Sequence, residues 1–170
     1  MVIAVNQKKK IRMNWKAFFI SVTLSGVMNL STAGEMPSGA NVQSGGITMS
    51  GQKTNHLVID QSTNKSIINW DSFSIHNKGR VDFNMPSPTS SSLNRVMGST
   101  PSTIAGQLNS NGKVMLINPN GVIITKDGVV KTNSFTASTL GINNEDFLKD
   151  RMSFKGDGKS RGVENRGKII

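Results

Sequence analysis

The chain has 170 residues, a formal net charge of +10 and no cysteine. This length suits one domain with a hydrophobic core, and the lack of cysteine excludes disulfides, thiolate metal sites and a cysteine nucleophile. Five positive charges fall before residue 34, where no acidic residue lies: Lys8, Lys9, Lys10, Arg12 and Lys16. The remaining 15 basic and 10 acidic side chains are dispersed along the chain, so the charge does not predict nucleic-acid binding.

The segment that precedes Gly34 has the three-part composition of a secretory signal peptide. A basic segment, residues 1–16, precedes an apolar stretch, residues 17–30, and small residues follow. The apolar stretch is shorter than the roughly 20 residues that a membrane-spanning helix needs. We predict cleavage at Ala33 and Gly34 and a mature domain over residues 34–170. An interfacial amphipathic anchor is the alternative, and Met13 is an alternative start.

Short β-type segments follow a lead rich in glycine and serine. The alternation of apolar and polar residues predicts strands over residues 56–61, 65–76, 80–85, 93–97 and 102–108. A bend near Asp71 would turn Trp70 and Phe73 towards the same interior. Residues 87–92 are predicted as a polar loop, and residues 109–112 as a turn.

The most strongly marked turn is Asn118-Pro119-Asn120-Gly121, between the apolar runs 114–117 and 122–124. Proline fixes one φ angle and removes one N–H donor, while asparagine and glycine tolerate positive φ. No helix can continue through these four residues. We expect the amides of Asn118 and Asn120 to bond to the backbone of the next coil if the chain forms a stacked coil.

Four turns place a glycine two positions before an aliphatic residue, at Gly112, Gly121, Gly128 and Gly167. Such turn-and-strand units without helical periodicity predict an all-β protein, either rich in hairpins or coiled into a solenoid. The spacing of these glycines does not distinguish a hairpin-rich fold from a solenoid. Residues 143–148 alone have the character of a helix start in the mature chain, and we predict a single turn there.

The inventory for enzyme chemistry is small. His56 and His76 are too far apart in sequence for a metal-binding spacing. Asp60, Asp71 and Asp82 recur at equal spacing, as stacked carboxylates would in a calcium-binding β-helix lyase. Chance spacing with solvation at strand ends is the stronger explanation. No catalytic residue, metal site or cofactor is predicted.

In order, the mature chain resembles the amino-terminal secretion domain of two-partner-secretion exoproteins, the family of filamentous haemagglutinins and related adhesins and haemolysins. The similarity is carried by residues 67–70, 72–75, 81–83, 93–96, 102–106, 111–112, 116–122 and 136–139. It therefore includes Asn69, Trp70, Phe73, Phe83, Asn94 and Arg95 as structural positions of the family pattern.

This resemblance implies a right-handed parallel β-helix with an amino-terminal cap and a small extra-helical sheet. It implies export through the general secretion machinery and the periplasm, with recognition by an outer-membrane β-barrel transporter that carries POTRA domains. It also assigns the secretion motif to Asn118, Pro119, Asn120 and Gly121. With about 20 residues per coil, roughly six or seven coils are expected.

Two functions follow as alternatives. The first is a secretion-directing domain of an exported adhesin or haemolysin on a Gram-negative cell surface, where a missing carboxyl-terminal region contacts host cells. The second is a small β-helix polysaccharide lyase that uses Asp71. Loss of export on substitution of Asn118 or Asn120 would favour the first, and loss of lyase activity in Asp71→Ala the second.

Overall fold

The computed structural model describes residues 35–156 and 161–170. The predicted signal peptide and its cleavage site at Ala33 and Gly34 lie outside these residues. Within the described part, fourteen strands and one short helix form. The strands are β1 (Asn41–Ser44), β2 (Ile47–Ser50), β3 (His56–Gln61), β4 (Lys65–Trp70), β5 (Arg80–Asn84), β6 (Ser91–Val96), β7 (Ser102–Ile104), β8 (Gln107–Ser110), β9 (Lys113–Ile117), β10 (Val122–Ile124), β11 (Val129–Lys131), β12 (Ser134–Ser138), β13 (Val163–Asn165) and β14 (Lys168–Ile169), and the helix is α1 (Asn144–Leu148).

These strands form three sheets around one interior. Sheet A has the order β1-β4-β6-β9-β12, sheet B the order β2-β3-β5-β8-β11-β14, and sheet C the order β13-β10-β7. The chain visits sheets B, A and C in turn, and successive circuits, here called coils, pair in parallel. The sequence did not distinguish a hairpin-rich fold from a solenoid. The structure is a solenoid, a right-handed parallel β-helix.

The length of a coil varies between sheets. Ser102 and its partner in the next coil, Val122, are separated by fewer residues of chain than Arg80 and its partner Gln107. Many more residues separate Val122 from its partner Val163, because the chain leaves the stack between them. The expectation of six or seven coils is therefore wrong. The described strands make about three turns.

The amino-terminal end of the stack is closed by two antiparallel strands. Strand β1 pairs with β4, and β2 pairs with β3, which are the first strands of sheets A and B. These additions cover edges that would otherwise present unpaired backbone groups. The predicted amino-terminal cap is confirmed.

The interior is mostly apolar, because alternate residues of each strand point inward and most of these are hydrophobic. Trp70 and Phe73 meet there as an edge-to-face pair, with ring centroids 5.3 Å apart and an interplanar angle of 83°. The predicted bend is therefore correct, although the strand itself ends at Trp70. Other buried members of the cluster are Leu57, Ile59, Ile68, Ile75, Val81, Phe83, Met85, Val96, Ile104, Leu108, Val114, Leu116, Val122, Ile124 and Val130.

A segment outside the coils covers the outer face of sheet A. It contains α1 and an antiparallel bridge between Gly141 and Lys155. We call residues 141–155 the strap. Its Ile142, Phe147 and Phe154 pack on a second apolar cluster, formed by Ile67, Leu93, Met115 and Ile117.

The helix of the strap begins where the sequence predicts. The Asn143 side chain caps it by accepting a hydrogen bond from the Asp146 backbone N–H at 2.7 Å. The single predicted turn at residues 143–148 is confirmed.

The predicted strand over residues 102–108 is wrong, because two strands, β7 and β8, occupy it. The chain turns from sheet C to sheet B at Gly106, whose N–H donates to the Ile75 carbonyl at 3.0 Å. A Cβ atom at Gly106 would lie 2.2 Å from the Gly79 carbonyl oxygen, so only glycine fits this close approach. The predicted turn at 109–112 is also shorter than expected, since Asn109 and Ser110 belong to β8.

The helix found in the described ranges is too short and too polar to cross a membrane.

Candidate functional site

The corner formed by Asn118-Pro119-Asn120-Gly121 joins β9 of sheet A to β10 of sheet C. Its turn is closed by the Gly121 N–H, which donates to the Asn118 carbonyl at 3.0 Å. The Asn118 side-chain oxygen also accepts from the Asn120 backbone N–H at 2.9 Å, as in an Asx turn. Gly121 has a φ of 112°, which favours glycine. The predicted turn is confirmed, with positive φ at Gly121 alone of the four.

Asn118 is fully buried within this corner. Its side-chain nitrogen donates to the Thr100 carbonyl and to the Ser102 hydroxyl, each at 3.0 Å. Its backbone N–H donates to the Ser138 carbonyl at 2.9 Å. Because buried polar groups are costly unless bonded, this residue links three successive coils, and its polar atoms are used inside the protein.

Asn120 makes a second contact between coils. Its side-chain nitrogen donates to the Gly98 carbonyl at 2.9 Å. The expected amide-to-backbone bonds are therefore present, but they reach the preceding coil rather than the next one. Pro119 is the exposed residue of the corner.

The space beside the corner is open to solvent. A hollow of about 270 Å³ is bordered by Pro101, Gly121, Ile123, Arg161 and Glu164, among others. The surface that the corner offers to a partner in the folded state is therefore Pro119 and the rim of this hollow.

The other three repeated glycines also begin strands, as predicted: Gly112 precedes β9, Gly128 precedes β11 and Gly167 precedes β14. A Cβ atom at Gly128 would lie 2.3 Å from the Ile104 carbonyl oxygen, and one at Gly167 would lie 2.4 Å from the Gly128 carbonyl oxygen. These glycines allow coils to approach at their corners, whereas Gly121 is needed for its backbone angle.

The family-pattern residues come together in pairs across the first two coils. The Trp70 indole N–H donates to the Asn94 side-chain oxygen at 3.0 Å, inside the stack. On the outer face, Arg95 donates to the Asn69 side-chain oxygen at 3.1 Å. Phe83 is buried in the same interior as Trp70.

Two basic side chains bind the strap to sheet A, and the sequence did not predict these contacts. Arg95 donates to the Ile142 carbonyl at 2.7 Å, and partial burial lowers the pKa of its guanidinium. The Lys65 ammonium donates to the Leu148 carbonyl at 2.7 Å and pairs with Asp150 at 2.7 Å. A basic residue that lies far from the strap in sequence carries no local signal of such a contact.

A cluster of polar and charged side chains surrounds Asp82 on sheet B. Its carboxylate accepts from His56 at 2.6 Å, from Arg80 at 2.8 Å and from Asn109 at 2.8 Å. Burial acts to raise the pKa of Asp82, but these bonds and the charge of Arg80 outweigh it and lower the pKa below 3.8.

The three equally spaced aspartates do not form a ladder. Asp60 lies opposite Asn84, and Asp82 lies opposite Val58. Asp71 is exposed at the bend beside Gly39, away from both. Among the described residues, no group of three histidine or acidic side chains is arranged to hold a metal ion.

Comparison with known proteins gives concordant results. A family model described as "TPS secretion domain" matches residues 33–168. Two heme/hemopexin-binding proteins of Haemophilus influenzae, one of them from strain Rd, are 35% and 32% identical to this chain over 86% and 92% of its length. The chain spans only 15% and 17% of the lengths of these two relatives.

A solved structure has the same fold. The crystal structure of the HMW1 secretion domain from Haemophilus influenzae is 38% identical, with a TM-score of 0.73, over 78% of this chain and 36% of that one. These matches are a secretion domain and heme/hemopexin-binding proteins, and they favour secretion over a polysaccharide lyase. With the family model matched over residues 33–168, the chain belongs to the secretion domains of two-partner-secretion exoproteins.

Proposed function

We propose that this domain directs export of the exoprotein that carries it, and that a partner outer-membrane β-barrel transporter recognises it in the periplasm. Exoproteins of this family are secreted by Gram-negative bacteria through the two-partner pathway, which implies an outer-membrane transporter. The observation that carries the proposal is the corner from Asn118 to Gly121, whose buried amide joins successive coils.

Recognition is proposed to occur before the domain folds. Its strands are three to six residues long, apart from the two-residue β14, and glycine turns separate many of them. An extended chain of this kind can add a strand to the edge of a receptor sheet, with backbone hydrogen bonds supplying affinity. The periplasmic POTRA domains of the transporter are the proposed receptor. The lack of cysteine leaves no disulfide to oppose passage of an unfolded chain.

The corner then serves export by building the coil stack. Asn118 is buried, so a transporter cannot touch its side chain in the folded domain. Its side-chain bonds to Thr100 and Ser102 form only when the second and third coils come together. Folding outside the cell would hinder return of the chain, so a corner that stabilises the stack would raise the yield of export.

The cargo belongs to the part of the exoprotein that this chain does not cover. The matched relatives are heme/hemopexin-binding proteins, and the chain spans 15% and 17% of them. We therefore assign ligand binding, whether to heme, hemopexin or a host-cell surface, to regions outside this domain. An adhesin or haemolysin cargo fits the same arrangement.

Co-expression with candidate partner transporters tests the proposal. The domain should accumulate in the medium with its cognate transporter and remain in the periplasm without it. The exported chain should begin at Gly34, which amino-terminal sequencing would show. Equal amounts in the medium with and without every transporter would contradict the proposal.

A further inference from the structure

A row of buried polar side chains crosses the interior of the first two coils. It consists of Gln61, Ser66, Ser92, Asn94 and Trp70, none of which is more than 5% exposed. We call this row the polar relay. Polar groups in such a position require partners, and each member of the relay finds them within the relay or in the adjoining backbone.

Four short contacts connect its members. The Ser66 hydroxyl lies 2.6 Å from the Gln61 side-chain oxygen and 2.9 Å from the Ser92 hydroxyl. The Asn94 side-chain nitrogen donates to the Ser92 hydroxyl at 3.2 Å. The Trp70 indole N–H donates to the Asn94 side-chain oxygen at 3.0 Å.

The Ser66 hydroxyl lies at the centre of the relay. It donates towards two acceptors, the Gln61 side-chain oxygen, which can only accept, and the Ser92 hydroxyl. Ser92 also accepts from the Asn94 side-chain nitrogen. The Gln61 side-chain nitrogen completes the row by donating to the Thr63 carbonyl at 2.7 Å.

Later coils have apolar residues at the stacked positions. Ser92 lies opposite Ser66 on one side and Val114 on the other. Asn94 lies opposite Ile68 of β4 on one side and Leu116 of β9 on the other. The two facing hydroxyls thus distinguish the pairing of β4 with β6 from the pairing of β6 with β9.

We propose that the polar relay sets the register between the first two coils. A slip of one residue would turn Val96 outward and carry the charged Arg95 side chain into the interior. A slip of two residues in one direction puts the Ser92 hydroxyl beside Ile68, and in the other it moves Asn94 away from Trp70. Each slip leaves a buried polar group unpaired, which disfavours that register roughly 5- to 150-fold. This inference concerns folding and stands apart from recognition by a transporter.

The Trp70 indole N–H is a natural reporter of the register, because it is itself a member of the relay. In the full chain, its resonance is distinguished from that of Trp15 by its absence in Trp70→Phe. The native chain should show one Trp70 indole signal in a ¹H–¹⁵N spectrum. The double variant Ser66→Ala/Ser92→Ala should keep its β-sheet circular dichroism but show two or more Trp70 signals, because registers that were excluded become populated.

Two variants serve as controls. Ser92→Thr keeps a hydroxyl and should give one Trp70 signal. Ile68→Val removes interior volume from the same strand without touching the relay and should also give one signal. If the double variant fails to fold, Ser66→Ala alone opens the relay and should give the same multiple signals. A single Trp70 signal in the folded relay variants, or multiple signals in Ile68→Val, would overturn the proposal.

Discussion

The side-chain amide of Asn118 donates to the hydroxyl of Ser102 at 3.0 Å, between two residues that are both fully buried. This bond ties the corner after β9 to the beginning of β7 in the preceding coil. It makes the corner a part of the interior, and its consequences for stability can be measured.

Asn118→Ala should lower the free energy of unfolding by about 1–3 kcal/mol, because it leaves the Thr100 carbonyl and the Ser102 hydroxyl without their buried donor. Urea unfolding followed by circular dichroism measures the loss. Asn133→Ala is the matched control, since Asn133 bonds the Pro88 carbonyl at an exposed site. Its effect should stay within about 0.5 kcal/mol, and equal losses in the two variants would contradict the account of the corner.

Gly106→Ala should destabilise the domain by about 1–3 kcal/mol or more, the cost of overpacking. The new Cβ atom would lie 2.2 Å from the Gly79 carbonyl oxygen and 2.3 Å from the His76 carbonyl oxygen. Gly141→Ala is the control, because its nearest neighbour would be 3.7 Å away. Thermal unfolding should separate the two variants, and similar melting temperatures would argue against the close approach of the coils.

Lys65→Met should loosen the strap without disturbing the coils, since it removes the ammonium that holds the Leu148 carbonyl and Asp150. Amide hydrogen exchange at residues 144–149 should speed up, while that of the buried strands β6 and β9 stays slow. Lys131→Met is a suitable comparison, because Lys131 lies on sheet B rather than under the strap. Uniformly faster exchange throughout the domain would contradict this prediction, because it would show that the strap and coils open together.

The cluster around Asp82 should make stability depend on pH in acid. Its pKa is lower in the folded state than the ordinary 3.8, so its contribution is present above about pH 4 and is lost as pH falls through the folded value. Asp82→Asn should therefore destabilise the domain at neutral pH. It should also flatten the acid limb, which is the fall in the free energy of unfolding as the pH drops below about 4. Asp60→Asn should retain that limb, because it leaves the three side-chain partners of Asp82 in place. An unchanged acid limb in Asp82→Asn would refute this assignment.

The sequence predicted those features that depend on local chemistry. Proline and glycine marked the corner at residues 118–121, and alternation placed Val81 and Phe83 in the core. The local sequence could not predict that the chain turns at Gly106 and divides residues 102–108 into two strands. This turn depends on the close approach of another coil. The number of coils was overestimated because the strap and the cap use residues that a uniform repeat would assign to the stack.

Contacts between distant residues were the other part that the sequence did not reveal. Arg95 matched the family pattern, but its bond to the Ile142 carbonyl joins residues that are far apart in sequence. Two partners of Asp82, His56 and Asn109, come from the strands on either side of its own. Spacing in sequence gives no information on such pairs until the register between coils is known.

The central claim is that the corner serves export by building the coil stack. The most direct test measures export with the cognate transporter for Asn118→Ala and for a Leu116 variant chosen from Leu116→Val and Leu116→Ala to match its stability loss. Leu116 is buried in the same coil but lies outside the motif. The account predicts equal reductions of export in the two stability-matched variants. Loss of export in Asn118→Ala with normal export of its Leu116 counterpart would contradict it and show that the transporter reads the corner itself.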